Sequence, residues 1–503
     1  MIKRITLFWI LLLAMPFVAL AKDFLVVDFG AKGNGVTDDA SAIQKTIDAC
    51  SQAGGGNVVF SANHTFLSGP VELKSNVNIV LETHSVWKAN PDESIYRKSA
   101  FGKNEGEGMM WIWAKDIENL SFSGHGTIHG NGIQFMGAEL FDSYELKPVT
   151  TFDPRPHVLT LIGVKNLSIR DITICEGAYW TVHLIGCDGA LIDGINLLNN
   201  LKIRNGDGID IDHSKNVRIA NCHITSGDDA ICLKNRREFE EYGSCHDIVV
   251  TNCVMESRSC TVKIGSENMD SIYHVVIDNC VIKGSNRGLG IQNRDEGTVT
   301  DVVFSNIILD CHLWSDVWWG KAEPIYVTSY PRANGNHKDA NWRFPKGQTV
   351  GKCGEVSRIY FNNIYATSEN GCFIGGDIKD KVRNQKRRDK KGRILRNGES
   401  QRADGRYAFV YTDCFGKQKF LYSWKLESTD PLPVGRRPCQ SLREKEKVIL
   451  RDINDGITPY GDNLTVLELV KKYIAQKTGV RHNTAANYNF VINIIKKEEF
   501  GAI

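Results

Sequence analysis

The chain lacks most of the features that would place it quickly. It has no Cys-x-x-Cys pair, so a zinc or redox centre finds little support despite 14 cysteines. After the first twenty or so residues no stretch is long and apolar enough to cross a bilayer. The glycine-rich run Asp28-Phe29-Gly30-Ala31-Lys32-Gly33-Asn34-Gly35 carries neither the dinucleotide fingerprint nor a Gly-Lys-Ser/Thr ending. That excludes a phosphate loop there. The formal net charge of only +2 over 503 residues supplies no global field for polyanions. No nucleic-acid partner is therefore expected, and no metal or cofactor is called for.

What is present is ordinary in bulk and patterned in detail. A 42% hydrophobic, 24% charged chain is ample for a large core. Residues 1–21 read as an export signal: Lys3 and Arg4, an apolar stretch Ile5 to Val18, then Ala19-Leu20-Ala21. A mature chain starting near Lys22 would work outside the cytoplasm, secreted or periplasmic, with no membrane span, as a monomer. Next comes a strand, a glycine turn and a helix reaching about Cys50, with Asp38 and Asp39 at its positive end. Such a helix suits the open end of a stacked β core, whose edges need cover.

A repeat follows. Its unit is polar-apolar-x-apolar-x-small-apolar-x-apolar, with starts at 166, 189, 216, 247, 274 and 301 and a weaker copy from Arg358. A period in the twenties with short strands and few helical signals predicts an all-β solenoid of parallel coils. Leucine-rich repeats would need a leucine framework and a helix per repeat, and neither is visible. Cys222, Cys253 and Cys280 share one repeat position, as buried thiols rather than bridges. Insertions at 87–118 and 130–156 carry Trp87, Trp111, Trp113, Phe135, Phe141 and Tyr144, which would either wall a groove or pack the loops down.

The chemistry concentrates in two stretches, Asn205-Gly206-Asp207-Gly208-Ile209-Asp210-Ile211-Asp212 and Ser226-Gly227-Asp228-Asp229-Ala230-Ile231-Cys232-Leu233-Lys234. Each is a carboxylate turn followed by period-2 alternation, the mark of a half-buried strand. Stacking them in register with Cys260–Gly265, Arg287–Gln292 and Glu323–Val327 makes two inward columns. One is Ile209, Ile231, Val262, Leu289 and Ile325, and the other is Ile211, Leu233, Ile264, Ile291 and Val327. Asp207 then lies beside Asp229, with Asp228 next to it, at a strand spacing of about 4.8 Å. Clustered like charge raises at least one pKa, as an acid catalyst requires. A single one of these aspartates would be an ordinary turn residue.

These motifs resemble the polygalacturonase family of glycoside hydrolases, family 28, as do Gly124-His125-Gly126-Thr127-Ile128-His129-Gly130-Asn131-Gly132 and Trp180. The likeness runs from about Asp28 to Tyr330. It implies a right-handed parallel β-helix over 22–377, acting on a pectic polysaccharide and inverting the anomeric centre. Asp228 would be the general acid, and Asp207 and Asp229 would activate water. Substrate-binding roles are implied for Lys263, Arg287, Gln292, Asn205, Asp210 and Cys260. The chain departs from the family pattern in having Cys260 for a histidine, and Gly290-Ile291-Gln292 for Arg-Ile-Lys. Those departures point away from plain polygalacturonan, toward a branched pectin such as rhamnogalacturonan or a neutral glycan. Lys263 and Arg287 could restore positive charge, or Lys263 could pair with Asp210 and Lys234 with Asp212. A calcium-dependent β-helix lyase and a non-catalytic carbohydrate-binding β-helix stay open as alternatives.

Beyond about Asp377 the repeat fades. Ten Lys/Arg in the 18 residues from Lys379 to Arg396 read as a solvated segment, and Leu464 to Gln476 as an amphipathic helix. Residues 378–503 form a divergent C-terminal region to which the pattern assigns no fold; one hypothesis is a divergent or reading-frame-altered version of further coils.

Overall fold

A computed structural model describes residues 22–101, 108–141, 155–315, 320–331, 353–376, 388–396, 398–412 and 417–454, with a few positions between and after these. The proposed export signal, Tyr144, residues 379–387 and most of 464–476 lie outside the described residues.

The repeat coils into a right-handed parallel β-helix. One ten-stranded parallel sheet runs from Val71–Glu72 through Ile209–Asp212, Ile231–Asn235, Cys260–Asn268, Arg287–Asn293 and Ile325–Ser329 to Phe373–Gly376. The register pairs Ile209 with Ile231, Ile231 with Val262, Val262 with Leu289 and Leu289 with Ile325. Ile211, Leu233, Ile264, Ile291 and Val327 pair likewise. Both columns therefore form as the alternation predicts. Ile209, Ile211, Ile231, Leu233, Val262, Ile264, Leu289 and Ile291 are all fully buried. Burying each such side chain contributes about 1.5–3 kcal/mol before entropy is subtracted.

The repeat's first position turns each coil. Asn166, Asn216, Asp247, His274, Asp301 and Arg358 all adopt a positive φ between 51° and 58°. Short side chains that bond locally tolerate this conformation best. The ladder is tied by side chains as well: the Asn166 amide donates to Asn119 at 2.8 Å, and Asn119 to Asn76 at 2.8 Å. Cys222, Cys253 and Cys280 stack as buried free thiols.

The expected helix spans Ala40–Gln52 and buries Ile43, Ile47 and Cys50 in the core of the first coils. Asp38 accepts from the Ala40 N–H at 2.8 Å, and Asp39 from those of Lys32 and Gly33. At the other end the inward residues of Val356–Ser368, namely Ile359, Phe361 and Ile364, are only half-buried. Their partners one coil earlier, Val302, Phe304 and Ile307, are fully buried.

The chain divides into two units, 1–378 and 379–503. The second is not a set of further coils, which rules out that hypothesis for its described residues. Its strands Glu399–Gln401, Tyr407–Thr412 and Gln418–Ser423 pair antiparallel. A helix, Leu442–Asn454, follows. Its start is a capping box: the Ser441 N–H donates to the Glu444 carboxylate at 2.9 Å, and the Glu444 N–H returns to Ser441 Oγ at 3.3 Å. Leu395, Tyr407, Phe409, Leu426 and Leu442 form a separate small core.

Candidate active site

Two glycine turns set the carboxylates. The Gly227 N–H donates to the Gly206 carbonyl at 3.1 Å, locking adjacent coils together. A Cβ on Gly227 would come within 2.1 Å of the Ile203 carbonyl oxygen, and one on Gly206 within 2.7 Å, so no side chain fits at either turn. The Asp228 carbonyl accepts from the Ser226 and Ser257 hydroxyls, each at 2.6 Å. Asn199 braces the earlier turn, donating to Thr181 Oγ1 at 2.6 Å and to the Gly206 carbonyl at 3.2 Å.

Asp207, Asp228 and Asp229 converge, with one oxygen from each inside a mutual 4.8 Å. Three oxygens at that spacing can hold a water, and equally a cation. The three groups are held differently. Asp207 is buried, and its Oδ1 has no hydrogen-bond partner among the described residues. Burial first, then the Asp210 and Asp228 charges, push its pKa well above the usual carboxylate value. Asp228 is the partly exposed member. Burial of its carboxyl and the adjacent Asp229 raise its pKa, while Lys263 and Lys234 oppose the rise. Asp229 is held from the next coil, by the Cys260 N–H on Oδ1 at 3.2 Å and the Lys263 ammonium on Oδ2 at 2.6 Å.

Asp207→Asn is expected to abolish turnover yet stabilise the fold at alkaline pH. A raised folded-state pKa favours the fold below the unfolded value of about 3.9, and that contribution is lost as pH rises through the raised value. The variant should be more stable than wild type by about 1–3 kcal/mol at pH 8, with a smaller gap at pH 5. Thermal melts at the two pH values check this, and lower stability of the variant at pH 8 would contradict it.

The structure places the other expected site residues unevenly. Lys263 pairs with Asp229 and not with Asp210, because its ammonium reaches along its own face to the carboxylate turn. Lys234 pairs with Asp210 at 3.2 Å and not with Asp212, which instead meets His183 at 3.3 Å. Asp210 is fully buried, and burial raises its pKa to about 7 against the pull of Lys234. It is a floor residue with no open face toward a substrate. Cys260 is buried, and its thiol donates to the Val262 carbonyl at 3.2 Å. Arg287 is buried, bridged to Glu323 at 3.0 and 3.2 Å, and lies over Tyr326 at 3.6 Å. Gln292 is partly exposed beside Thr328. Asn205 Oδ1 accepts from the Arg155 guanidinium at 3.4 Å.

Sequence reasoning missed Arg155 and Arg258. Arg155 is fully buried and donates to the Ala178 carbonyl at 3.0 Å and the Arg204 carbonyl at 2.6 Å, beneath the Asp207 turn. Arg258 lies over Trp314 at 4.6 Å. Register sets Arg258 opposite Gly227 of the preceding coil, so the periodicity gave no signal of a cation there. Of the insertion aromatics, Trp87, Trp111 and Phe135 are core residues, and Phe141 is almost fully exposed. Trp113 alone of the described ones faces outward on the long sheet, with Lys98 over its ring at 3.4 Å.

Asp207 and Asp229 thus stand in register on adjacent coils of a parallel β-helix, with Asp228 beside them. The chain belongs to the glycosyl hydrolases family 28, whose model matches residues 50–312, just over half of the chain. A polygalacturonase of Persea americana is 29% identical over 220 residues, which is 42% of this chain and 44% of that protein. The solved family 28 exopolygalacturonase of Yersinia enterocolitica shares the fold, with a TM-score of 0.58 at 19% identity over 72% of this chain and 70% of that one.

The second unit has other relatives. A model described as the DNA binding domain of Tn916 integrase matches residues 383–453. The Streptococcus pneumoniae transposase from transposon Tn1545 is 50% identical over 117 residues, 23% of this chain and 29% of that protein. The chain thus spans about half or less of the curated relatives compared here. This finding overturns the expectation of no nucleic-acid partner. Residues 383–453 hold nineteen lysines and arginines against nine acidic residues, a local excess that the near-neutral total conceals.

Proposed function

We propose that the β-helix hydrolyses O-glycosidic bonds in a pectic polysaccharide, with Asp228 as general acid and a water held by Asp207 and Asp229. The convergence of the three carboxylates within 4.8 Å carries this reading. Asp228, partly exposed and with a raised pKa, can present a proton to a leaving oxygen. A spacing this short, taken alone, would suit a nucleophilic pair at about 5–5.5 Å better than an inverting pair at about 6.5–9.5 Å. Burial argues for water. Asp207 and Asp229 are 3% and 1% exposed, and Asp229 already binds a donor on each oxygen. A water can reach them where a sugar carbon cannot, so attack by water with inversion is the favoured course.

The substrate follows from what the floor lacks. Gly290 and Gln292 offer no cation, Arg287 is bridged to Glu323, and Lys263 to Asp229. That supports a pectin with a neutral sugar at this subsite, of the rhamnogalacturonan type, over plain polygalacturonan. Incubation with polygalacturonan, rhamnogalacturonan and a neutral galactan tests it. Saturated oligosaccharides from rhamnogalacturonan are expected. An unsaturated product absorbing in the ultraviolet, lost on adding a chelator, would identify the lyase instead.

A second reading is favoured by the likeness over 383–453. We propose that this unit binds double-stranded DNA through its three-stranded sheet. Phe420 and Tyr422 are exposed on that sheet, and the Arg402 and Arg406 guanidinium groups lie 5.4 and 5.5 Å from the Tyr422 ring. Export, proposed from residues 1–21, and DNA binding ask for different compartments. Fractionation of expressing cells, with the chain expected outside the cytoplasm, checks the export half. A wholly cytoplasmic chain would refute it.

A further inference from the structure

The contact between Lys263 and Asp229 carries more than charge balance. Asp229 belongs to one coil, and both of its donors come from the next: the Cys260 N–H on Oδ1 at 3.2 Å and the Lys263 ammonium on Oδ2 at 2.6 Å. The lysine side chain is only 20% exposed, and Asp229 1%. A pair so shielded is not weakened by solvent as a surface pair is.

Register places Lys263 between Cys232 and Gly290 on the outer face of the long sheet. Gly290 contributes no side chain to that row, and a Cβ there would come within 2.7 Å of Cys260 Sγ. The charged and titratable groups acting on this pair are Asp228, Asp207, Asp210, Lys234, Cys232 and Cys260. Of the four clustered aspartates, three are otherwise placed. Asp210 faces Lys234, Asp207 has an oxygen with no partner among the described residues, and Asp228 is the partly exposed one. Asp229 takes a donor from the next coil on each oxygen.

We propose that Lys263 is a positioning residue that holds Asp229 as the water-orienting carboxylate. It does not grip a carboxylate of the substrate. What Asp229 does with water rests on the hydrolase reading, whereas its pairing with Lys263 does not. The pKa directions agree: burial depresses the Lys263 ammonium, and the Asp229 charge more than reverses that.

The test uses the full chain labelled with 13C at the aspartate carboxyls, as wild type, Lys263→Met, Lys263→Gln and Lys263→Arg. Asp229→Asn assigns the Asp229 resonance by its loss. Removing the cation is expected to raise the Asp229 midpoint by about one pH unit or more, and arginine to restore it. Glutamine serves where methionine impairs folding. On whichever of the three polymers the wild type cuts, kcat of the neutral variants should fall about 10–100-fold, with the acid limb moved up in pH and KM within about twofold. An unmoved Asp229 midpoint overturns the proposal. So does a rise in KM with an unmoved acid limb, which would mark Lys263 as a substrate contact. If the wild type cuts none of the polymers, the hydrolase reading fails, while the carboxyl titration still decides the role of Lys263.

Discussion

Asp228→Asn should keep the fold and lose turnover by about 10³-fold or more. General acid catalysis contributes about 10²–10⁴-fold, and an amide cannot supply the proton. The fold should survive because asparagine is nearly isosteric and keeps the acceptor that meets the Asp229 N–H at 3.0 Å. The Asp228 carbonyl, which anchors the turn to Ser226 and Ser257, is untouched. Wild-type activity should fall as pH rises through the raised Asp228 value, since the acid must be protonated. A variant with near-normal kcat and an unchanged melting temperature would remove Asp228 from the chemistry.

The second large effect concerns the other unit. Arg402→Ala with Arg436→Ala should weaken binding to duplex DNA about 10²-fold near 150 mM salt. The same pair should reduce the slope of log affinity against log salt by about two. Both side chains are exposed. Arg436 lies over Trp424 at 4.1 Å, and Arg402 reaches the Tyr422 hydroxyl at 3.3 Å. Neither belongs to the ion pairs that hold this unit together, Arg393 with Asp389 and Asp430, and Arg443 with Glu399. Fluorescence anisotropy at several salt concentrations measures both quantities. Unchanged affinity and slope would contradict the proposed DNA contact through this face.

The sequence carried the β-helix because a solenoid repeats one physical problem. Every coil needs inward aliphatics at period 2 and a turn residue that tolerates positive φ, so Ile209, Ile231, Val262 and Leu289 announce each other. The carboxylate trio was legible for the same reason, since register alone brings Asp207 beside Asp229. Side-chain reach is not encoded in register. Lys263 and Lys234 sit on the expected face, yet each chose a different aspartate from the one assigned, because a lysine stem spans more than one strand spacing. The aromatics misled for another reason: Trp87 and Trp111 each donate their indole N–H to Ser68 inside the core, a partner no spacing reveals.

The second unit was misjudged through averaging. Its excess of cations cancels against acidic residues elsewhere, and its short antiparallel strands have no period to find. Local signs were present. Tyr407-Ala408-Phe409-Val410-Tyr411 is a short apolar run rich in strand-forming residues, and Ser441-Leu442-Arg443-Glu444 spells a helix start.

The most direct test of the aspartate trio is the anomeric configuration of the first product, followed by proton NMR while the wild-type chain acts on rhamnogalacturonan. Water held between Asp207 and Asp229 predicts a saturated reducing end that appears with the opposite anomeric configuration to the bond cut, then mutarotates. A product released with the original configuration would contradict the account, and would make one of the aspartates a nucleophile.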